Sequence, residues 1–515
     1  MQISALPAER TTLWHNAVVR SPADPGATAL LTRGQHIVWL GPLADAPTAD
    51  LRIDLGGALV TPAFVDAHVH ATDTGLALAG LDLSAVRSAT ELLKAVAEFA
   101  SGLGPEAVVL GHGFDESTWG AAQTPPTAGE LDRAAGGRSV YLSQASIHSA
   151  LVSSDLLALS ADAPGHDASG WVRRDAHHVV RAAAFGQITI VQRRDAQMRM
   201  LRHAASLGIA AVHECGGPGT SSEDDFTELL RLSGQGLPEI YGFWGELMGA
   251  AKARELGAVG AGGDLYADGA LGSRTAHLGE DYLDGERGCG HGYVTAEQVR
   301  DHLLDCHHHR MQGGFHAIGD AAISTVVAGF ELADQVLGTD ALRDARHRVE
   351  HAEIMDKRLI AAFVDYGIVA SMQPAFDRLW GGEHQMYAQR LGVARSLASN
   401  PMGQMHNTGV ALAFGSDSPV TPLDPWGSVR AAMQHFNTHQ RMSAKSAFAA
   451  HTRGGWRAVH RDDEGVLVPG APATFAVWRA PAGLSGTLPS LEQHDELPVC
   501  VRTVLRGETI YEHGE

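Results

Sequence analysis

Two histidines one residue apart, His68 and His70, follow an apolar run in the stretch TPAFVDAHVHATDTG at 61–75. If the run is a β-strand, side chains two residues apart point to the same face, so both imidazoles aim together past the strand end. This arrangement is typical of metal ligands. A strand whose histidines only form hydrogen bonds is the alternative for an isolated His-x-His pair, and the rest of the chain must decide.

Further imidazoles and a carboxylate follow apolar runs later in the chain. His316 lies in GGFHAIGD, His351 in RHRVEHAE and Asp417 in GVALAFGSDSP. Singly, each has a structural alternative: a histidine can be a hydrogen-bonded core residue, and Asp417 can cap a following helix. Together with the pair at 68 and 70, they form a nitrogen and oxygen donor set suited to Zn²⁺ or Fe²⁺. The sequence therefore predicts a metal site.

Eight apolar, strand-like runs alternate with helical stretches, which predicts βα units and a parallel sheet. Most of the runs end in polar residues, and the eight ends lie near His70, Glu214, Trp244, Asp264, His316, His351, Gln373 and Asp417. A barrel of eight such units carries its chemistry at the C-terminal ends of its strands. The predicted fold is therefore an α/β protein with a (β/α)8 TIM-like barrel at 61–464.

Short β segments punctuated by Gly and Pro occupy both ends of the chain, at 1–60 and 465–515. Because chain ends often lie close together, these segments predict one small composite β-sandwich domain. Residues 76–190 do not follow the βα rhythm. We expect them to form an insertion after the first barrel strand that shapes a pocket.

Composition excludes several classes of protein. The 515 residues include 39 Lys and Arg against 59 Asp and Glu, a net charge of −20, which opposes binding to nucleic acid or to anionic membranes. The four cysteines form no C-x-x-C pair, so neither a disulfide framework nor a thiolate zinc site is indicated. With no leader-like start and no long apolar run, we expect a soluble, cytoplasmic protein with a small-molecule substrate.

The chain resembles the amidohydrolase superfamily, and within it the YtcJ-like enzymes related to N-substituted formamide deformylases (amidohydrolase family 3). The matching motifs span most of the chain: TPAFVDAHVH, GHGFDESTW, SIHSALVSS, GIAAVHECGG, YADGALGSRTA, HAIGDAA, RVEHAE, SMQP, GSDSPVTPLDPW and PGAPATFAVW. The resemblance implies a barrel with a β-sandwich built from both termini. A homodimer would be ordinary for this family.

The resemblance also assigns roles within the site. It makes His68 and His70 ligands of one metal, His316 and His351 the other imidazole ligands, and Asp417 the catalytic carboxylate. A metal lowers the pKa of a bound water, and a neighbouring carboxylate can take the water's proton and later pass it to a leaving nitrogen.

One position departs from the family pattern. Many relatives carry a lysine that bridges two metals once it is carboxylated, and here that position is Asp264 in DLYADG. The chain's lysines all fall in helix-like segments, at Lys94, Lys252, Lys357 and Lys445. Because aspartate is several bonds shorter than a lysine carbamate, it should not reach between two metals without a backbone shift, although it becomes a direct ligand if two ions bind.

We therefore expect one divalent ion per chain, Zn²⁺ ahead of Fe²⁺ or Mn²⁺, rather than two. Its expected ligands are His68, His70, His316 and Asp417. His351 would then be partly freed to polarise the substrate carbonyl or to orient the water.

Other residues are candidates for substrate contact. Arg274 and Asp268 in DGALGSRTA are expected in a loop over the pocket, where the guanidinium could hold a substrate carboxylate, the alternative being an internal salt bridge. His112, Trp119 and His148 of the insertion either line the pocket or pack.

Three further features have weaker interpretations. Gln373 faces the site or bonds to the backbone, and Glu214 could orient a ligand histidine. CHHHR at 306–310 indicates a solvated helix face rather than a metal site.

These features favour a metal-dependent hydrolase that acts on a C–N bond other than a peptide bond, in an amide, formamide, cyclic amide or amidine. One alternative is a metal-binding paralogue without activity, suggested by the missing lysine. The other keeps the metal and carboxylate but uses them for C–C or enol-type hydrolysis or for isomerisation. Since loops carry specificity in this fold, the motifs predict a reaction class rather than a ligand.

Overall fold

The computed structural model describes residues 10–119, 124–144, 149–218, 220–284 and 288–514. They divide into two compact units, one from the described residues up to 70 and from 201 onward, and the other from those between 71 and 200. The first unit contains an eight-stranded parallel barrel and a seven-stranded sheet, and the second contains a five-stranded sheet.

The barrel strands follow one another in chain order around the barrel. Barrel strands 1 to 8 are Phe64–Val69, Ile209–Gly216, Glu239–Trp244, Gly260–Ala261, Gln312–Ala317, Arg348–His351, Val369–Met372 and Ala411–Phe414. The backbone after strand 8 returns to strand 1, where the N–H of Asp417 donates to the carbonyl of His68 at 2.7 Å and the N–H of His70 donates to that of Ser418 at 2.9 Å. The predicted TIM-like barrel is confirmed.

Burial explains why the barrel strands appear as nearly continuous apolar runs. Every residue of barrel strands 1 and 2 is buried, as expected for parallel strands that are covered on both faces. Polar side chains are concentrated where strands end, which places them at one rim of the barrel.

The helices of the first unit connect and surround these strands. Their bounds are Glu223–Leu230, Ala250–Glu255, Ala296–His309, Asp320–Leu337, Thr339–Ala345, Lys357–Tyr366, Pro374–Trp380, Met386–Leu391, Val393–Ala398, Met402–Thr408, Pro425–Met433, Ala444–Ala450 and Arg453–Ala458. Helix Ala296–His309 shows how the sequence sets such limits. It starts with a capping box between Thr295 and Gln298 and ends at Arg310, which adopts the left-handed conformation.

The CHHHR stretch forms the end of that helix, with Cys306 buried and His307 and His308 exposed. The expected solvated face is therefore present. All four lysines also lie on helices.

Within the part of the chain that the structure describes, no single helix combines the length and apolarity needed to cross a membrane. The bent pair Asp320–Leu337 and Thr339–Ala345, which turns by 118°, meets that criterion on length and composition alone.

Both ends of the chain meet in the seven-stranded sheet. Its strands are Thr11–Val19, Ala29–Arg33, His36–Gly41, Leu51–Pro62, Phe475–Arg479, Val499–Leu505 and Glu508–Glu512. The strand Leu51–Pro62 pairs in parallel with Thr11–Val19 and antiparallel with Phe475–Arg479, which joins the N-terminal and C-terminal segments. Trp14 and Phe475 pack edge to face at 5.2 Å in the apolar core of this sheet.

The second unit has its own sheet and core. Its strands are Leu81–Asp82, Val109–Phe114, Val140–Gln144, Ser149–Val152 and Trp171–Arg173. Its helices are Ala71–Ala79, Ala89–Ser101, Ala128–Ala134, Ser154–Ala158 and Arg174–Gly186, and a sixth, Ile190–Ser206, continues into the first unit. Two apolar clusters are built on this sheet and these helices. The insertion predicted at 76–190 lies within this unit, and its role in shaping a pocket stays a prediction.

His451 predicts an acid-sensitive contribution to stability. It is buried against the rings of Phe64 and Phe414, and its Nδ1–H donates to the carbonyl of Val65 at 2.9 Å. Burial lowers its pKa from 6.5 to about 4. Below about pH 6.5 the unfolded chain therefore binds a proton that the folded chain does not, and the free energy of unfolding falls by about 1.4 kcal/mol per pH unit down to about pH 4.

The substitution His451→Asn keeps an N–H donor near Val65 and removes the titration. We expect urea unfolding to show that the stability of the wild type declines relative to the variant as the pH falls from 7 to 5. A difference that stays constant over this range would contradict the assignment.

Candidate metal centre

His68 and His70, at the end of barrel strand 1, face the carboxylate of Asp417, which follows barrel strand 8. The Nε2 atoms of His68 and His70 lie 3.4 Å and 3.2 Å from Asp417 Oδ1. A tetrahedral ion bound at 2.0–2.1 Å places its ligand atoms about 3.3 Å apart. The spacing therefore fits three atoms around one ion. Asp417 is held there with a φ of 56°, a strained conformation of the kind that clusters at functional sites.

Asp264 reaches the same point from barrel strand 4. Its Oδ2 lies 3.2 Å from His70 Nε2, and its Oδ1 lies 3.5 Å from both His68 Nε2 and His316 Nδ1. The shorter side chain was expected to reach between two metals only with a shift of the backbone, and its oxygens do lie beside histidines of barrel strands 1 and 5. Asp264 is within metal-ligand spacing of three histidines.

Two glycines before Asp264 account for its reach. Gly262 and Gly263 have φ values of 159° and 76°, which an L side chain rarely adopts. A Cβ on Gly262 would lie 2.3 Å from the backbone N of Gly314, so the glycine allows strands 4 and 5 to approach closely. Beyond this point, the N–H of His316 donates to the carbonyl of Leu265 at 2.9 Å. The backbone before and after Asp264 thus lies close to strand 5, which places the short side chain within reach of the histidines.

Hydrogen bonds on the outer side of three rings determine which nitrogen faces the centre. The pairs are His68 Nδ1 with Glu350 Oε2 at 2.9 Å, His351 Nδ1 with Gln373 Oε1 at 2.8 Å and His316 Nε2 with the carbonyl of Gly269 at 3.1 Å. Because each partner oxygen accepts, the ring nitrogen in each pair carries the proton. The opposite nitrogen of each ring is left to bind a metal, as is usual for metal-binding histidines.

The carboxylates of Asp264 and Asp417 favour positive charge on the groups around them in this buried site. Burial lowers the pKa of His70, but Asp264 and Asp417 more than offset this and hold it well above its ordinary value. The pKa of His316 is likewise lowered by burial and raised more by Asp264, to about 9. A divalent ion can supply the same positive charge in place of protons.

Three buried ligand atoms have no hydrogen-bond partner among the described residues: His68 Nε2, Asp264 Oδ1 and His316 Nδ1. An unpaired buried polar atom costs about 1–3 kcal/mol. Ligand atoms of His68, Asp264 and His351 also lie within 4.8 Å of one another. The donor set and its unpaired atoms therefore fit a divalent ion.

The described contacts add Asp264 to the expected ligands His68, His70 and Asp417. His316 meets Asp264, and its ring centroid lies 4.5 Å from that of His351. The ligand atom of His351 also lies within 4.8 Å of those of His68 and Asp264. Asp264 is thus the residue that contacts histidines of both barrel strand 1 and barrel strand 5, and the ligand set itself stays a prediction.

Arg274 and Asp268 occupy structural positions. Arg274 donates through Nε and Nη2 to the carboxylate of Asp284 at 3.1 and 2.8 Å, which is the internal salt bridge considered as the alternative. Asp268 is fully buried and accepts backbone N–H bonds from His277, Ile318 and Gly319 at 2.8–3.0 Å. Arg274 thus forms the internal salt bridge, and both oxygens of Asp268 already accept hydrogen bonds from the backbone, while the substrate contact of either side chain stays a prediction.

Gln373 lies at the predicted strand end, and its side chain forms a hydrogen bond with the candidate ligand His351. Its Oε1 accepts the His351 proton, and its Nε2 has no hydrogen-bond partner within the described ranges. Glu214, considered as the partner that orients a ligand histidine, is buried at the end of strand 2, whereas the contact on His68 is made by Glu350.

The candidates from the insertion lie in the second unit. Trp119 is buried in its core, and the indole N–H donates to the carbonyl of Val86 at 3.2 Å. His112 Nε2 donates to the carbonyl of Ala77 at 3.1 Å. Trp119 is thus a packing residue, the pocket role of His112 stays a prediction, and His148 lies outside the described residues.

The sequence reasoning missed Arg348, Glu350 and Tyr266. Arg348 and Glu350 alternate along strand 6 and are both fully buried. Charged residues two apart in a predicted barrel strand were the available signal, since they share one face. The hydroxyl of Tyr266 donates to Asp264 Oδ2 at 3.3 Å, and the residue is 38% exposed, which places a donor beside the ligands.

Comparisons with known proteins bear on the family and on the fold. Residues 52–511 match the model of the amidohydrolase family. The protein LONG AFTER FAR-RED 3 of Arabidopsis thaliana is 26% identical over 88% of this chain and 84% of its own length. YtcJ of Bacillus subtilis (strain 168) is 26% identical over 89% of this chain and 90% of its own length. An uncharacterized metal-dependent hydrolase from Pyrococcus furiosus shares the fold, with a TM-score of 0.75, 24% identity, and coverage of 91% of this chain and 98% of that one.

Proposed function

The chain belongs to the amidohydrolase family, as residues 52–511 show, and from this premise we propose that it is a metal-dependent hydrolase of a non-peptide C–N bond. Its substrate would be a small amide, formamide, cyclic amide or amidine. The observation that carries the proposal is the position of Asp417 Oδ1, 3.2 Å and 3.4 Å from the Nε2 atoms of His70 and His68. A carboxylate at this point can serve both as a metal ligand and as a base.

We assign a first ion to His68, His70, Asp264 and Asp417, and a second, more weakly held ion to Asp264, His316 and His351. Zn²⁺ suits these nitrogen and oxygen donors best, and Fe²⁺ or Mn²⁺ suits them as well. When bound, such an ion polarises a carbonyl or amidine carbon and lowers the pKa of a water molecule.

Side chains of the protein then accept and donate the protons of the reaction. Asp417 accepts the proton of the attacking water and donates it to the nitrogen as the C–N bond breaks, so that a neutral amine leaves. The hydroxyl of Tyr266 donates its single proton to Asp264 Oδ2 in this structure, and it can turn that proton to the substrate oxygen as negative charge develops there.

The test is a matched panel of substrates with and without metal. We expect dialysis against a chelator to abolish release of amine from N-formyl amines and cyclic amides, and added Zn²⁺ or Mn²⁺ to restore it. The released amine is measured by a fluorogenic reagent. The panel includes an enol ether and a β-diketone, which report the alternative chemistries. If the metal-loaded protein cleaves only the latter two, the C–N assignment is wrong, and if it cleaves none, the paralogue without activity is favoured.

A further inference from the structure

We propose that Glu350, held by Arg348, is a positioning residue that fixes His68 as an Nε2 ligand and sets how tightly the first ion is bound. This inference rests on the metal site of the proposed function but not on the identity of the bond that is cleaved. It concerns a buried charged layer directly beneath the candidate centre.

Glu350 connects the ligand to the arginine. Its Oε2 accepts the Nδ1–H of His68 at 2.9 Å, and its two oxygens accept from Arg348 Nε at 2.5 Å and Nη2 at 2.9 Å. The side chains of all three residues are 0% exposed. The carboxylate thus has a fixed orientation, and through it so does the imidazole.

Arg348 is itself fixed by several neighbouring barrel strands. Its partners are the carbonyl of Ala67 at 2.6 Å, Ser371 Oγ at 3.0 Å and His213 Nδ1 at 3.1 Å, and its guanidinium lies 4.3 Å from the ring centroid of Phe243. These residues belong to barrel strands 1, 7, 2 and 3. The arginine cannot move without disturbing the barrel interior, so it is a rigid support for Glu350.

Stability alone does not account for this ion pair. Removing two charges from water inside a barrel is costly, and well-packed apolar residues of similar volume often serve as well or better. A carboxylate that accepts the outer N–H of a ligand histidine, by contrast, fixes the ring and makes its other nitrogen a stronger donor. The pair therefore has a specific use at this position.

The second group of ligands has a weaker support. His351 donates its Nδ1–H to the neutral amide oxygen of Gln373 at 2.8 Å, not to a carboxylate. A neutral acceptor polarises an imidazole less than an anionic one. His68 should therefore bind its ion more strongly than His351 does, which predicts a tight first site and a weaker second site.

The test is Glu350→Gln, which preserves shape and removes the charge. We expect the affinity for the first Zn²⁺, measured by equilibrium competition with a chromophoric chelator, to fall about 10- to 100-fold. The matched control is Glu464→Gln, because Glu464 is also a buried carboxylate paired with an arginine, Arg506, at 3.0 Å. We expect the control to keep the wild-type affinity within about twofold. Wild-type affinity in Glu350→Gln would overturn the proposal.

A measurement on the wild type covers the case in which the variant does not fold. In zinc-loaded protein with ¹⁵N-labelled histidine, His68, assigned through His68→Gln, should show a protected Nδ1–H and a metal-bound Nε2. Coordination through Nδ1 would overturn the proposal. The outcomes also separate it from the proposed function: a wild type that binds an ion but cleaves no C–N bond contradicts the proposed function and leaves this inference intact.

Discussion

Asp417→Asn should lower kcat by about 10³-fold on every C–N substrate that the wild type cleaves, within the range of 10²–10⁴ that general acid–base catalysis contributes. The asparagine oxygen can still face the Nε2 atoms of His68 and His70, as Asp417 Oδ1 does at 3.4 and 3.2 Å. The amide cannot take a proton from water, however, or return it to a leaving nitrogen. The loss should therefore appear in kcat more than in KM.

The matched control is Asp377→Asn. Asp377 is another buried aspartate near a histidine, with its Oδ1 3.4 Å from His435 Nε2 and its Oδ2 accepting the N–H of Phe436 at 3.1 Å. It is not among the described contacts of the metal ligands, so its kcat should stay within a fewfold of the wild type. Zinc content is measured in both variants by elemental analysis. An Asp417→Asn enzyme that contains zinc and turns over within tenfold of the wild type would exclude the acid–base role.

The barrel and most of its rim residues were predictable because two local signals coincide. Apolar runs mark strands buried on both faces, and polar residues at their ends mark the rim where chemistry occurs. His68, His70, His316 and Asp417 all satisfy both signals, and the structure brings them together with Asp264. Such signals require only the order of residues along the chain.

The reach of Asp264 was not predictable from its side-chain length. It depends on where the backbone runs, and the close approach of strand 4 to strand 5 at Gly262 and Gly314 is a tertiary contact. The GGD sequence permits this path without specifying it. The salt bridge of Arg274 shows the same limit, because its partner Asp284 also binds Arg390 from a distant segment. Pairings of this kind are set by packing between loops.

Asp264→Asn should remove the second metal site and weaken the first. In the wild type, we expect one equivalent of zinc to survive dialysis and a second to bind only when free zinc is raised. The Asp264 carboxylate lies 3.5 Å from both His68 Nε2 and His316 Nδ1, so its negative charge serves both groups. A neutral amide cannot offset the repulsion between two adjacent cations. The first affinity should fall by more than about 100-fold, because losing a partner outside the ligand shell already costs 10- to 100-fold.

The measurement is zinc per chain by elemental analysis after equilibrium dialysis at graded free zinc, for wild type, Asp264→Asn and Asp268→Asn. Asp268 is the control because its Oδ1 lies 3.9 Å from His316 Nε2, on the side of the ring that faces away from Asp264. We expect Asp268→Asn to keep the first equivalent, since the described contacts of Asp268 include none of the residues assigned to that ion. Two equally tight equivalents in the wild type would contradict the weaker support of His351 by Gln373. An Asp264→Asn protein that still binds two ions would show that His316 and His351 hold the second without a shared carboxylate.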